Sequence, residues 1–282
     1  MAGPRKPPKA LVFDIGGVCV VSPFQAILDY ENDRDIPNGW INHSIAKASP
    51  NGAWHRLERG EIPLDAAYFA EFKRDLSDET LWRSFYAQHL ARTRKESIGQ
   101  AVEEAAYAAP PVPDIDAEKL FWTMMTISRT PDPIMFPALQ RLREYADRNP
   151  GKLLLGALSN TVVFPPGHEF NDPETGESHG DLRGLFHVFV SSAHVGLRKP
   201  DPAIYNLTVK MLNEWAERDG SEIKIDLGDV VFLDDIGANL KAARALGMRT
   251  VKVELGRVEH AVRELEEILG IDLRGSAGKA KL

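Results

Sequence analysis

Five short apolar runs alternate along the chain with longer stretches in which apolar residues recur every three or four positions. The runs are residues 11–13, 152–158, 188–191, 230–233 and 250–253. Runs that are apolar at nearly every position, such as LLLGAL and VVFL, are typical of strands buried on both faces. Strands that alternate with helices pair in parallel through right-handed crossovers. The pattern therefore predicts an α/β fold, a Rossmann-like parallel sheet with helices on both faces.

The helix after the third run has the clearest end signals. Asp201 is the predicted N-cap, Pro202 stands at the first helical position, and Gly220 follows the last polar turn. Apolar residues recur with the same period over residues 137–148 and 258–269. Helices are therefore predicted in these two segments as well.

Residues 23–130, between the first and second runs, show helical patterns and almost no strand signal. A helical insertion directly after the first strand of an α/β sheet predicts a cap over the edge where such sheets bind ligands. We therefore expect an α/β core of residues 1–22 and 131–282 and an α-helical cap of residues 23–130. Aromatic residues of the cap either pack its core or line a pocket for an apolar substrate. They are Trp54, Phe69, Phe121 and Trp122.

The composition, 43% hydrophobic and 27% charged, is typical of a globular protein. A formal net charge of -7 disfavours a nucleic-acid partner. No apolar run is long enough to predict a membrane span. Cys19 is the only cysteine, which excludes an intramolecular disulfide and disfavours a cysteine-based zinc site. Its place in an apolar run predicts a buried, inert thiol.

Polar residues with catalytic potential stand at or just after the ends of predicted strands. They are Asp14, Ser159, Asn160, Lys199, Asp234 and Asp235. Because the C-terminal ends of parallel strands lie at one edge of the sheet, we expect these side chains to converge. Arg198, beside Lys199, is expected to be a solvated charge unless it reaches a bound phosphate.

The segments FDIGGV, LSNT, GLRKPDPAIY and FLDDIGANLKAARALGM resemble, in order and spacing, the four motifs of the haloacid dehalogenase superfamily. The last segment is particularly similar to the phosphatase domain at the N-terminus of soluble epoxide hydrolases. The cap segments SPFQAILDYE and GAWHRLERGEI also resemble that branch and the small-capped sugar-phosphate phosphatases. The resemblance covers nearly the whole chain except the N-terminal arm, residues 164–181 and the tail.

The resemblance implies a magnesium-dependent phosphohydrolase that acts on a small phosphate monoester through an aspartyl-phosphate. Asp14 is the implied nucleophile, since phosphoryl transfer through an aspartate needs an exposed carboxylate. Lys199 would pair with Asp14 and with the phosphate. Ser159 would offer its hydroxyl, and Asn160 its backbone N–H, to the same phosphate.

The resemblance also implies a Mg²⁺ site made of oxygen ligands, which this ion prefers. One carboxylate oxygen of Asp14, the carbonyl of Gly16 and the carboxylate of Asp235 would bind the ion. Asp234 would support these ligands or replace one of them. Asn239, one helical turn beyond Asp235, would orient Asp235 or Lys199.

Gly16 stands where phosphatases of this superfamily usually have a second aspartate, the general acid and base. Such a group is worth about 10² to 10⁴ in rate. Three hypotheses stay open: a phosphatase whose acid is not needed or comes from the cap, Asp234 or water; a 2-haloacid dehalogenase-type hydrolase; and a catalytically weak binding domain. The acids at positions 234 and 235 favour the first, because displacement at a carbon–halogen bond requires no magnesium.

The chain ends with Ala280, Lys281 and Leu282, which resemble the S-K-L peroxisomal address. In a eukaryote this tripeptide predicts a peroxisomal location and the import receptor as a partner. The alternative is a cytoplasmic location. A small phosphorylated substrate is the other expected partner, and the sequence indicates no oligomeric state.

Overall fold

A computed structural model describes residues 6–94, 109–171 and 179–275. The C-terminal tripeptide at residues 280–282 and part of segment 164–181 lie outside the described residues. The sheet has five parallel strands in the order β3-β2-β1-β4-β5. They are β1 (Ala10–Phe13), β2 (Leu154–Ser159), β3 (Val188–Ser191), β4 (Val230–Asp234) and β5 (Arg249–Lys252).

Twelve α-helices lie within the described ranges. The first six are α1 (Pro23–Asp33), α2 (Trp40–Lys47), α3 (Ala53–Glu58), α4 (Ala66–Leu76), α5 (Glu79–Arg94) and α6 (Ala117–Ile127). The others are α7 (Met135–Arg148), α8 (His179–Gly184), α9 (Ser192–Val195), α10 (Pro202–Arg218), α11 (Gly237–Ala245) and α12 (Val258–Leu269).

Alternate residues of β1 face two different layers of helices, because successive side chains of a strand point to opposite faces. Leu11 and Phe13 pack in one apolar cluster with residues of α7 and α12. Ala10 and Val12 pack in a second cluster with residues of α10 and α11. Helices therefore cover both faces of the parallel sheet, and the predicted α/β fold is confirmed.

The register of the strands brings their C-terminal ends together. Phe13, the last residue of β1, pairs with Ala157 of β2 and with Leu233 of β4. Asp14 directly follows β1, and Asp234 is the last residue of β4. Their side chains therefore emerge at the same edge of the sheet. This edge is where ligands bind in open α/β sheets.

The predicted start of α10 is confirmed in detail. The Asp201 carboxylate accepts a hydrogen bond of 2.8 Å from the Ala203 N–H, and Pro202 is the first helical residue. Gly220 follows the helix end with φ 72°, a left-handed conformation that glycine adopts without strain. The local sequence therefore determines where this helix begins and ends.

The chain divides into two compact units. The first comprises residues 1–22, 58–60 and 127–282, and the second comprises residues 23–57 and 61–126. The first unit thus includes residues 58–60 and 127–130 of the predicted cap. None of the helices in the described ranges combines the length and the apolar character that a membrane crossing requires.

Aromatic side chains form the centre of the second unit. The ring of Phe121 lies 6.0 Å from Trp54, 5.5 Å from Phe69 and 5.2 Å from Trp122, measured between ring centroids. Phe121 is fully buried. The four aromatic residues singled out from the sequence therefore pack on one another around the buried Phe121, while Trp54, Phe69 and Trp122 are half-buried.

Candidate active site

Asp14 continues β1 by one residue at the C-terminal edge of the sheet. Its backbone N–H donates to the Leu233 carbonyl at 2.8 Å, and its side chain is buried. Its Oδ1 accepts bonds from the Lys199 ammonium at 2.8 Å and from the Ile15 N–H at 2.7 Å. Burial raises the pKa of the Asp14 carboxyl, Lys199 opposes this, and the nearby Asp234 raises it further. A second cation would therefore help to keep Asp14 ionised.

Lys199 lies between two carboxylates. Its ammonium is 2.8 Å from Asp14 Oδ1 and 2.8 Å from Asp234 Oδ2, and the residue is only 1% exposed. Burial lowers the pKa of Lys199, but the two carboxylates outweigh it and hold the pKa above its usual value. The ammonium therefore stays charged, which the predicted contact of Lys199 with phosphate requires.

Asn160, directly after β2, holds the main chain of Lys199. Its Oδ1 accepts the Lys199 N–H at 2.8 Å, and its Nδ2 donates to the Lys199 carbonyl at 3.1 Å. Both peptide groups of Lys199 are thus fixed by one side chain from the neighbouring loop. The expected contact of the Asn160 backbone N–H with phosphate stays a prediction, as does that of Ser159, which ends β2 and is buried.

Asn239 binds Asp234 rather than Asp235 or Lys199, where the sequence placed it. Its Nδ2 lies 3.1 Å from each oxygen of Asp234, and the Ile236 N–H donates to Asp234 Oδ1 at 2.7 Å. The reason is that the Asp234 side chain, 0% exposed, points inward to the start of α11. Asp234 therefore uses both oxygens within the protein and holds the ammonium of Lys199.

Asp235, unlike Asp234, has a carboxylate oxygen without a partner among the described residues. Its Oδ1 is buried and accepts no hydrogen bond within the part of the chain that the structure describes. Burial raises the pKa of Asp235 to about 7, and the Asp234 charge contributes to this shift. A buried carboxylate oxygen without a partner is costly, so this atom is suited to an external cation.

The turn after Asp14 leaves room for Asp235. Gly17 has φ 75°, and a Cβ atom at this position would lie 2.4 Å from Asp235 Oδ2. Gly16, between Asp14 and Gly17, forms an isolated bridge with Val20. The role of the Gly16 carbonyl as a metal ligand stays a prediction.

The residues present fit a magnesium ion. Asp14, Asp234 and Asp235 each offer a carboxylate oxygen, and these oxygens lie within 4.8 Å of one another. Mg²⁺ is bound in proteins by one or two carboxylates together with water and phosphate oxygens. Asp235, with its unpartnered oxygen, and Asp14 are the best candidates, because Asp234 is already occupied by Lys199 and Asn239.

Cys19 is a buried thiol, as the sequence predicted. It is 0% exposed, and its Sγ donates to the backbone carbonyl of Asp14 at 3.2 Å. Burial raises the pKa of the Cys19 thiol, and the neighbouring Asp14 charge contributes. The thiolate form is therefore disfavoured, and the side chain is chemically inert.

The expectation of a solvated Arg198 was wrong. Its Nε and Nη2 lie 2.8 Å and 2.7 Å from Oε2 of Glu58, which is 6% exposed. Glu58 was not singled out from the sequence. Its partner lies 140 residues away along the chain, and no local pattern indicates such a contact.

The chain matches one protein family and several individual relatives. A family model described as haloacid dehalogenase-like hydrolase matches residues 8–247. Bifunctional epoxide hydrolase 2 of Sus scrofa is 40% identical over 270 residues, covering 94% of this chain and 39% of that protein. Acyl-CoA dehydrogenase family member 10 of Mus musculus is 27% identical over 267 residues, covering 94% and 19%. The chain spans less than half the length of either relative.

Two solved structures match the chain at low sequence identity. A HAD-family enzyme of Bacteroides thetaiotaomicron, solved with magnesium and inorganic phosphate, matches with a TM-score of 0.43 and 20% identity. The match covers 89% of this chain and 96% of that one. A dehalogenase solved as an intermediate complex matches with a TM-score of 0.49 and 14% identity, covering 95% and 100%.

Proposed function

The chain belongs to the haloacid dehalogenase-like hydrolase family, as its motifs indicated, and from this premise we propose that it is a magnesium-dependent phosphohydrolase. It acts on a small phosphate monoester through an aspartyl-phosphate on Asp14. The observation that carries the proposal is the pairing of Asp14 with the buried Lys199 ammonium, 2.8 Å away, beside the unpartnered Oδ1 of Asp235. A nucleophile, a fixed positive charge and a free metal ligand are what this reaction requires.

Asp14 has one carboxylate oxygen held and one available. Oδ1 is fixed by Lys199 and by the Ile15 N–H, whereas Oδ2 has no hydrogen bond among the described residues. In the first step a carboxylate oxygen attacks phosphorus, the bond from phosphorus to the ester oxygen breaks, and the leaving group departs as an alkoxide or aryloxide, which takes a proton from water. Holding the carboxylate in one orientation lowers the entropic cost of this attack.

Lys199 balances charge on the transferring group. Its ammonium is fixed by Asp14 and Asp234, and its peptide is fixed by Asn160, so it needs no rearrangement when phosphate binds. A preorganised charge in a site without water is worth more than the same charge in solvent. Ser159 and the Asn160 N–H are proposed to donate to the phosphate oxygens.

Asp14, Asp235 and the carbonyl of Gly16 are the proposed magnesium ligands. When bound, the ion offsets negative charge on the phosphoryl oxygens and on the two aspartates. In the second step water attacks the aspartyl-phosphate, inorganic phosphate leaves, and the Asp14 carboxylate is regenerated.

Gly16 supplies no carboxylate to protonate the leaving oxygen. We therefore expect the enzyme to prefer esters whose alcohol is a good leaving group, such as aryl phosphates, over simple alkyl phosphates. General acid catalysis contributes most when the leaving group is basic, which gives this preference its physical reason.

The test is hydrolysis of an aryl phosphate and an alkyl phosphate, each with Mg²⁺ and with a chelator. Asp14→Asn, which keeps the shape of the side chain but removes the nucleophile, should lower kcat by at least about 10³-fold. Cys19→Ala, next to the same turn, should keep most of the activity. Halide release from a 2-haloacid without metal would instead favour a dehalogenase. No turnover with either substrate would favour a binding domain.

A further inference from the structure

Glu58 contacts Arg198, which precedes Lys199, and Ser192 of α9, which in turn contacts the loop after β2. Its carboxylate receives two N–H bonds from Arg198, at 2.8 Å and 2.7 Å. Its backbone carbonyl accepts the Ser192 hydroxyl at 2.6 Å. Residues 58–60 belong to the first unit although the chain on either side of them belongs to the second.

The first connection leads to Lys199. Arg198 precedes Lys199, and the Arg198 carbonyl accepts the Asp201 N–H at 3.0 Å, which closes the turn that carries Lys199. Arg198 is 19% exposed and Glu58 8% exposed at the side chain, so their pair is largely removed from water. A guanidinium that donates twice to one partly buried carboxylate has little freedom to move. The pair therefore fixes the peptide immediately before the proposed phosphate-binding lysine.

The second connection leads to the loop after β2. The Ser192 hydroxyl, 0% exposed, accepts the Thr161 N–H at 2.8 Å and lies 3.2 Å from the Thr161 carbonyl. The same hydroxyl donates to Glu58. One buried oxygen thus joins the backbone of Glu58 to the residue next to Asn160.

The backbone after Glu58 is shaped for this contact. Gly60 has φ 66°, and a Cβ atom there would lie 2.4 Å from the Ala193 carbonyl oxygen. Only glycine allows the chain to pass this close to α9. The contact between segment 58–60 and the start of α9 is therefore built into the fold.

From these contacts we infer that Glu58 is a positioning residue for phosphoryl transfer, whose carboxylate acts through Arg198 on Lys199, while its backbone carbonyl supports Ser192 and the loop after β2. The inference rests on the proposed function for its effect on turnover, but its structural content is independent of it. The Glu58 carboxylate holds Arg198, whereas its backbone carbonyl holds Ser192, so loss of the Glu58 charge loosens the turn that carries Lys199 and leaves the Ser192 contact in place. Displacements of about 1 Å in such groups can cost about 10²-fold in rate.

The test compares Glu58→Gln with Glu266→Gln. Glu266 forms a similarly buried pair with Arg274, 14% and 21% exposed at the side chain, and also accepts backbone N–H bonds from Leu273 and Arg274. Both substitutions remove one charge from a buried pair, so both should lower stability to a similar degree. Only Glu58→Gln should lower kcat, by about tenfold with KM changed less than about threefold.

Amide hydrogen exchange gives a readout that does not depend on turnover. The amide of Lys199 should exchange at least about tenfold faster in Glu58→Gln than in the wild type, and at the wild-type rate in Glu266→Gln. The Thr161 amide, which is linked to the backbone carbonyl of Glu58 through Ser192, should keep its rate in both variants. Unchanged exchange of the Lys199 amide in Glu58→Gln overturns the inference. If the wild type shows no phosphatase activity, the proposed function fails, while the exchange rates still decide whether Glu58 fixes the turn that carries Lys199.

A double-mutant cycle with Arg198→Gln tests the route. If Glu58 acts through Arg198, the double variant should be no slower than the slower single variant. Additive losses in kcat would show that the two residues act separately and would overturn the route. Arg198→Lys keeps the positive charge but not the two donors of the guanidinium, so it should lower kcat by a smaller factor. This variant replaces Glu58→Gln in the test if Glu58→Gln does not fold.

Discussion

At the scale of single residues, the site depends on one glycine as much as on its acids. Gly17 combines a left-handed φ of 75° with an approach that leaves no space for a Cβ beside Asp235 Oδ2. Its backbone N–H also donates to the Val20 carbonyl at 3.0 Å, which fixes the turn after Asp14, the proposed nucleophile. Any side chain at this position must displace the proposed metal ligand.

Gly17→Ala should therefore weaken Mg²⁺ binding by at least about tenfold, since the new methyl group pushes Asp235 away from its position. It should also lower the free energy of unfolding by about 1–2 kcal/mol, because an L-residue in a left-handed conformation is strained. Calorimetric titration with Mg²⁺ and denaturant unfolding measure the two effects.

Gly220→Ala is the matched control. Gly220 has φ 72°, and its added Cβ would meet nothing within 4 Å. The control should show a comparable loss of stability and unchanged affinity for Mg²⁺. Equal losses of affinity in the two variants would contradict a steric role for Gly17.

At the scale of elements, His187 links β2 to the start of β3 through its side chain. Its backbone N–H donates to the Leu155 carbonyl at 2.9 Å, and its Nδ1 accepts the Leu155 N–H at 2.9 Å. Its ring packs against Trp215 of α10 with a centroid distance of 4.6 Å. The imidazole thus replaces a strand carbonyl, which it can do only in its neutral form.

The charge state of His187 should make stability depend on pH. Burial lowers the pKa of His187, the Arg143 charge lowers it further, and Asp147 and Asp219 oppose the shift only in part. Because the folded pKa lies below the unfolded value of about 6.5, stability is complete above that pH. It is lost as pH falls from about 6.5 through the folded pKa, with a slope of up to about 1.4 kcal/mol per pH unit.

Denaturant unfolding between pH 5 and 7.5 measures this slope. His187→Gln, which cannot be protonated, should remove that part of the slope, while His260→Gln should leave it in place. His260 has a side chain that is 59% exposed and lies in α12, away from the contact between β2 and β3, so its substitution leaves that contact intact. An unchanged acid slope in His187→Gln would rule out this role of the imidazole.

Strands and helices with local sequence signals could be predicted from the sequence. Where their predicted first residue was wrong, a local contact explains the difference. β2 was expected from residue 152 but begins at Leu154, because the Lys152 N–H closes a turn on Asn149. α7 was expected from residue 137 but begins at Met135, whose N–H is capped by the Asp132 carboxylate at 2.7 Å. Apolar runs predict where strands lie, but they do not show which polar side chain ends a turn or begins a helix.

The sequence could predict which residues of the candidate site lie close together, but not which side chains bond to each other. Strand-end positions identified Asp14, Lys199 and Asp235, because parallel topology determines which ends meet. The hydrogen bond from Asn239 to Asp234 depends on the direction of the two side chains. The ion pair of Glu58 with Arg198 depends on contact between distant segments of the chain. No period or spacing in one sequence encodes those contacts.

At the scale of the whole molecule, the first unit buries more negative than positive charge at its sheet edge. Asp14, Asp234 and Asp235 converge there, and Lys199 is the cation that pairs with them in the described residues. Buried like charges destabilise a fold unless they are neutralised by protons or by a cation. The stability of the protein should therefore depend jointly on pH and on Mg²⁺.

The metal-free protein should lose stability as pH rises, relative to Asp235→Asn. Because burial raises the pKa of Asp235 to about 7, the folded state retains a proton that the unfolded chain has already released. This contribution is complete below the unfolded value of about 3.9 and is lost as pH rises through about 7. Its sign is opposite to that of His187, so only the difference between wild type and Asp235→Asn isolates it.

Magnesium should reverse this loss, since the ion binds the carboxylate and not the acid. At about 100 times its dissociation constant, Mg²⁺ should add about 2.7 kcal/mol to the free energy of unfolding. Because protons compete with the ion at Asp235, the increment at a fixed Mg²⁺ concentration should be larger at pH 7.5 than at pH 5. Calorimetric unfolding at the two pH values, with Mg²⁺ or a chelator, measures it in wild type and in Asp235→Asn. An equal increment in the two proteins would mean that the ion stabilises the fold at some other place.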